Sequence, residues 1–117
     1  MARDESNIAN EVMLAASKQS TTLFKNVRGL FWSLDMQRKV AAGLQCKGSS
    51  DLIGFRKVKV TENMLGKEIA VFVALEIKTK TGGNGSPEQK QFIEFVKNAG
   101  GIAGVCRSDA DAIKLLS

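Results

Sequence analysis

Ala70-Val71-Phe72-Val73-Ala74-Leu75-Glu76-Ile77-Lys78-Thr79-Lys80 is the stretch on which the reading of this chain turns. It opens as an apolar run rich in valine, without Gly or Pro, the composition of a strand covered on both faces. It closes on Glu76 and Lys78. Side chains two apart on a strand share a face, so these two project together, on the side that carries Phe72 and Ala74. A carboxylate and an ammonium at the end of a buried strand are costly to desolvate. Two readings meet that cost. One is a solvated strand end with a local ion pair. The other is metal-dependent phosphodiester hydrolysis, in which the carboxylate binds a hard divalent cation and the lysine orients or polarises the attacking water. The tripeptide alone does not choose between them.

Downstream, Thr81-Gly82-Gly83-Asn84-Gly85 is a loop. It lacks the lysine and Ser/Thr of a phosphate-cradling loop. Ser86-Pro87-Glu88-Gln89 then starts a helix, with Ser at the N-cap, Pro at the first position and Gln at the third. Its apolar stripe is Phe92, Ile93, Val96 and Ala99 or Gly100, and Gln89 begins that stripe. Gln89 is therefore either a capping-box residue alone or a polar group directed at a site. Gly100-Gly101 stops the helix. Ile102 to Cys106 reads as a short buried strand, and Ser108 caps a last helix with Ala112, Ile113, Leu115 and Leu116 facing in. The strand–helix–strand unit is a crossover, so its two strands are predicted to be parallel.

Upstream, residues 7–19 read as a helix with Ser6 or Asn7 as N-cap. Ile8, Val12, Ala15 and Ala16 form its stripe. Glu11 falls on that stripe, as a snorkelling edge residue or as a carboxylate directed at a metal. Thr21 to Trp32 reads as a strand broken at Gly29. Ser33 to Gly43 reads as a loop with a helical turn. Strand character returns from Leu52 to Val60, with Gly54 a bulge or a close approach. The predicted order is α-β-β-β-α-β-α, an α/β fold with a mixed sheet flanked by helices, in one domain spanning residues 1–117.

Composition narrows the function. Apolar residues are 44% of the 117 and charged residues 25%, as in a soluble globular protein. No apolar run approaches the roughly 20 residues of a membrane helix. The N-terminus is polar and unlike a signal peptide, and the separated Cys46 and Cys106 read as reduced thiols, so a cytoplasmic setting is expected. The absence of histidine removes Ser-His-Asp and Cys-His catalysis and argues against zinc. The net charge is +5. Between Lys25 and Lys59 eight basic residues stand against two acidic ones, and the rest of the chain is near neutral. That asymmetry fits a nucleic acid partner or simply a solvated basic face.

A helical Glu11, Asp51 closing a Gly-x-x-Asp, Glu76-Ile77-Lys78 and a helical Gln89, in that order, resemble the PD-(D/E)XK nuclease superfamily. The closer resemblance is to the virus-type replication-repair nuclease (VRR-NUC) family. Its small members read Gly-x-Pro-Asp-Leu-Ile-Gly where this chain has Gly48-Ser49-Ser50-Asp51-Leu52-Ile53-Gly54. They carry Ser-Pro-x-Gln before the helix, as at Ser86 to Gln89, and end in a glycine-rich strand followed by Arg-Ser-x-x-Asp-Ala, as at Arg107 to Ala112. Two departures are Ser50 for the signature proline and Lys25-Asn26 where Arg-Asn is commoner. The proline shapes backbone and binds no metal; the lysine keeps the charge but loses the guanidinium fork.

The resemblance implies a restriction-endonuclease-like core and a divalent-metal-dependent DNA endonuclease. It implies that Asp51, Glu76 and the Ile77 carbonyl are direct metal ligands, and Glu11 a ligand directly or through water. Lys78 is similar to the family's catalytic lysine, and Gln89 to the glutamine that steadies it. Oxygen donors without His or Cys suit Mg2+ or Mn2+. Lys25, Asn26, Arg28, Arg38, Lys39, Lys47 and Lys80 are the candidate DNA contacts. Small stand-alone members act as homodimers on four-way (Holliday) junctions, and Leu30-Phe31-Trp32, Met36 and Met64-Leu65 offer apolar surface for a dimer. The alternatives are a nickase of flaps or branched duplexes and a non-catalytic nucleic-acid-binding module. If the protein is viral, the cytoplasm expected is that of a bacterial host.

Overall fold

The structure is a computed structural model and describes residues 4–27 and 29–117. The chain forms two compact units, Met1–Val58 and Lys59–Ser117. The first contains α1 (Glu5–Ser17), β1 (Thr21–Lys25), β2 (Gly29–Ser33), β3 (Arg38–Ala42) and β4 (Leu52–Arg56). The second contains a 3-10 turn (Glu62–Met64), β5 (Val73–Ile77), α2 (Pro87–Asn98), β6 (Ile102–Cys106) and α3 (Asp109–Leu116). This is a mixed α/β chain of helices and small sheets. Among the described residues no helix is long and apolar enough to cross a membrane.

In the first unit, α1 begins two residues earlier than the sequence predicts. Asp4 is the N-cap, its carboxylate accepting from the Asn7 backbone N–H at 2.8 Å. An aspartate caps as well as a serine, and this one comes first in the chain. The helix packs on β1. Its half-buried residues include Ala9, Met13 and Ala16, whereas Ile8, Val12 and Glu11 are exposed. The inward face is thus rotated from the predicted Ile8–Val12–Ala15–Ala16 stripe. Two alanines at i and i+7 allow close approach to the strand, and the flexible Met13 between them fills the remaining space.

β1 pairs antiparallel with β4, Leu23 opposite Gly54 and Lys25 opposite Leu52. Phe24 and Phe55 meet with ring centroids 6.4 Å apart. Gly54 makes the close approach anticipated from the sequence: a Cβ there would run into the backbone carbonyl of Thr22. The obstacle is backbone, which no rotamer change relieves. Gly54→Ala is therefore expected to destabilise the protein by about 3 kcal/mol. Chemical denaturation checks this, and an unchanged midpoint would contradict the geometry.

Between β1 and β4 lies a hairpin. β2 pairs antiparallel with β3, Phe31 opposite Val40 and Trp32 opposite Lys39. The sequence predicts a loop at residues 33–43, so among the described residues five strands precede α2 where three are predicted. Arg38-Lys39-Val40-Ala41-Ala42 has little strand propensity of its own. It becomes a strand by pairing across the turn at Leu34–Gln37, where Gln37 adopts φ 52 and the Met36 N–H donates to Ser33 Oγ at 3.1 Å. β4 ends at Arg56, and Val58 and Val60 are exposed rather than in a strand.

In the second unit β5 and β6 are parallel, Val73 opposite Ile102 and Ile77 opposite Cys106, as the crossover requires. Among the described residues, the pairings within the units are β1–β4 and β2–β3 in the first and β5–β6 in the second. β5 begins at Val73, not Ala70. Ala74 and Glu76 are half-buried, while Ile77 is 71% exposed, so the strand is not covered on both faces. α2 packs against β5 and β6, and α3 against β6. Val96, Ala103 and Cys106 are buried between these elements.

Candidate active site

The period of two along β5 places Glu76 and the following Lys78 on one face. Ser86 and Pro87 start α2 so that its first turn reaches that face. The capping box is complete: Ser86 Oγ accepts from the Gln89 N–H at 3.1 Å, and the Ser86 N–H donates to Gln89 Oε1 at 2.9 Å. The same Gln89 oxygen accepts from Lys78 Nζ at 3.3 Å, and Gln89 Nε2 donates to Glu76 Oε1 at 2.9 Å. Lys78 Nζ lies 3.4 Å from that Glu76 oxygen, with the two side chains 24% and 33% exposed. The capping box forms, and the same Gln89 amide also joins Glu76 and Lys78. Its amide has one end for an anion and one for a cation, and each end meets the matching partner.

This arrangement does more than neutralise charge. A free Lys–Glu pair at a strand end samples many rotamers. Here a third residue, fixed by a helix cap, pins both. Gly85 adjoins the group with φ +88, and a Cβ there would stand 2.8 Å from Gln89 Oε1 and 3.7 Å from Lys78 Cε. A side chain at this position would be strained by backbone conformation and would press on the glutamine. Beside the group, Ala74, Leu75, Glu76, Glu88, Gln89, Phe92 and Ile93 line an open cleft of about 350 Å³.

In the first unit Asp51 immediately precedes β4 and is exposed. Its loop is held by Asn26, predicted as a DNA contact. The Asn26 N–H donates to the Asp51 carbonyl at 2.8 Å, its Nδ2 donates to Ser49 Oγ and the Ser50 carbonyl at 2.9 Å each, and its Oδ1 accepts from the Leu44 N–H at 2.8 Å. Both ends of the amide are thus engaged within the unit, and they hold the segment just before Asp51. Ser50 stands where the family has proline, so a hydrogen bond to its carbonyl restrains a backbone that lacks the ring. Glu11 lies exposed on α1. Lys25, Arg38, Lys39 and Lys47 are exposed in this unit and Lys80 in the other. Arg28 lies outside the described residues. Within each unit, among the described residues, no three His, Cys, Asp or Glu side chains gather as a metal site.

One residue absent from the predicted site is Arg107, whose guanidinium binds carbonyls of the loop after Lys78. In the sequence it stands as the first residue of the Arg-Ser-x-x-Asp-Ala motif, which does not say what the guanidinium binds. Comparison with curated proteins and with solved structures finds no match. The sequence profile of the VRR-NUC domain matches residues 9–110, a span that contains Glu11, Asp51, the Glu76–Lys78–Gln89 group and both units' strands. With most of its length so matched, the chain belongs to the VRR-NUC family of nucleases.

Proposed function

We propose that this nuclease is a divalent-metal-dependent, structure-specific DNA endonuclease with a restriction-endonuclease-like core, and that as a homodimer it resolves four-way junctions. The observation that carries the catalytic reading is the Gln89 amide bridging Glu76 and Lys78. A purely structural ion pair at a strand end does not call for a capped glutamine to fix both partners.

The donors fit a hard cation. Gln89 and Lys78 both approach Glu76 through Oε1, and the second carboxylate oxygen is the one proposed to face the ion. Asp51, the Ile77 carbonyl and Glu11 are the other proposed oxygen donors, a set suited to Mg2+ or Mn2+. Either ion supplies Lewis acidity, activating water and offsetting charge that builds on the phosphate. The rest falls to side chains. Lys78, steadied by Gln89, orients the attacking water by hydrogen bonding, and Glu76 keeps the ammonium beside the scissile phosphate. Lys25, Arg38, Lys39, Lys47 and Lys80, with Arg28, are the proposed phosphate contacts.

The dimer reading rests on the hairpin. Leu30, Trp32 and Met36 are 70%, 58% and 52% exposed, a dense apolar surface for a basic protein. A four-way junction has approximate two-fold symmetry and needs two opposed cuts, which a two-fold dimer with one site per chain would match. Incubation with mobile junctions, flaps and linear duplexes, with and without Mg2+ or Mn2+, tests the whole reading alongside sedimentation. Paired nicks across the junction by a dimer are expected. A monomer that cuts flaps and spares junctions would refute the resolvase. Binding without cutting in either metal would mark a non-catalytic module.

A further inference from the structure

We infer that Arg107 is a positioning residue for Lys78 and Gln89, acting through the Thr79–Gly85 loop; its catalytic consequence rests on the nuclease reading above. The parallel register sets the geometry. Ile77 stands opposite Cys106, and the Lys78 N–H donates to the Cys106 carbonyl at 3.0 Å. The next residue on β6's side is Arg107. Its own N–H donates to Asp111 Oδ2 at 2.9 Å, tying its backbone to the first turn of α3.

The guanidinium then reaches across to the loop that leaves Lys78. Nη1 donates to the Thr79 carbonyl at 2.6 Å and the Gly82 carbonyl at 2.9 Å. Nη2 donates to the Gly83 carbonyl at 2.9 Å and to Asn84 Oδ1 at 3.5 Å. One cation thus gathers four oxygens of a single six-residue span. Three are main-chain carbonyls, so the restraint falls on the backbone path itself. A planar fork with several divergent donors spans such an array; a lysine ammonium on a flexible stem does not hold it in one plane.

The loop carries the restraint to the site at both ends. It starts directly after Lys78. It ends at Gly85, where a Cβ would stand 2.8 Å from Gln89 Oε1, and at Ser86, whose N–H donates to that same glutamine oxygen at 2.9 Å. The intervening Thr81-Gly82-Gly83 is glycine-rich and has little intrinsic preference for one path. Without the guanidinium the loop would sample other paths, and the Gly85–Ser86 wall against Gln89 would move with it. The Lys78–Gln89 bond, already 3.3 Å, would be the first contact to lengthen.

The full-length chain with Arg107→Ala, and separately with Arg107→Lys, tests this. Amide hydrogen exchange of Thr79–Gly85 should accelerate in both, and the Gln89 side-chain amide resonance should shift, while the melting temperature of Arg107→Lys stays near wild type. On a cleavable DNA, kcat should fall about ten- to a hundred-fold with KM nearly unchanged, as expected for a small misplacement of reacting groups. Guanidinium ion, added well below denaturing concentration, should restore part of the Arg107→Ala rate, and the same concentration of sodium should not. A loop that exchanges as in wild type, or a loosened loop with unchanged kcat, overturns the proposal. Should Arg107→Ala not fold, Arg107→Lys carries the same readouts. If the wild type cuts no DNA, the nuclease reading fails, and the exchange and amide-resonance arms still decide whether Arg107 positions Gln89.

Discussion

Glu76→Gln is expected to lower DNA cleavage by about a thousand-fold while the protein still folds. The loss is of charge and not of shape. A glutamine at this position has nearly the same volume and still offers a carbonyl oxygen to Gln89 Nε2, which now donates to Glu76 Oε1 at 2.9 Å. What disappears is the negative charge that would hold a cation and that pairs with Lys78. Removing one preorganised electrostatic group from an active site costs about 10²–10³-fold, and loss of the proposed metal ligand falls at the upper end. Lys78→Ala is expected to act as strongly by another route. Gln89 would keep its capping box with Ser86, so α2 retains its start, but the ammonium proposed to orient water is gone. Neither change should move the melting temperature far. The Glu76–Lys78 pair is a quarter to a third exposed, and such pairs contribute at most about 1 kcal/mol. Melting curves and nicking rates measured together decide the matter. A folded Glu76→Gln protein that cuts at the wild-type rate would remove Glu76 from the chemistry.

Mn2+ or Mg2+ is expected to raise the melting temperature of the wild type, and to raise it much less in Asp51→Asn. The sign follows from linkage: an ion bound by the folded chain alone draws the equilibrium toward it. At a concentration about 100 times the dissociation constant the stabilisation is about 2.7 kcal/mol. For a chain of this size that corresponds to a shift on the order of 10 °C. Asp51→Asn replaces a charged oxygen donor with a neutral one and leaves the Asn26 contacts to Ser49, Ser50 and the Asp51 main chain in place. The loop therefore keeps its conformation, and a reduced shift reports on binding rather than on folding. Equal shifts in the two proteins would exclude Asp51 as a ligand. Thermal melts across a metal titration need no DNA, so this outcome stands apart from any measurement of cleavage.

Much of the local structure around Glu76 and Lys78 was legible in the chain itself because it obeys local rules. The period of two puts Glu76 and Lys78 on one face. Ser86-Pro87 with Gln89 three residues after the serine spells a capping box, and that box forms. A strand–helix–strand of this length makes a parallel pair, and β5–β6 is one. The ordered set of Glu11, Asp51, Glu76, Lys78 and Gln89 pointed to the family that the profile match then showed.

The remainder was decided by contacts between residues far apart in sequence. Arg38 to Ala42 has no strand pattern and becomes β3 only through pairing with Gly29 to Ser33. The inward face of α1 follows the fit of Ala9, Met13 and Ala16 to β1 and not the most apolar stripe. Asn26 reaches the Ser50 carbonyl across 24 positions, and Arg107 reaches the Thr79 carbonyl across 28. Bonds from a side chain to a distant main-chain carbonyl impose no periodicity, demand no residue type at the accepting end, and so leave no trace in the sequence of the loop they hold. Periodicity and capping record what a segment does within itself; the bonds that hold the Asp51 loop and the loop after Lys78 exist only once the strands have paired.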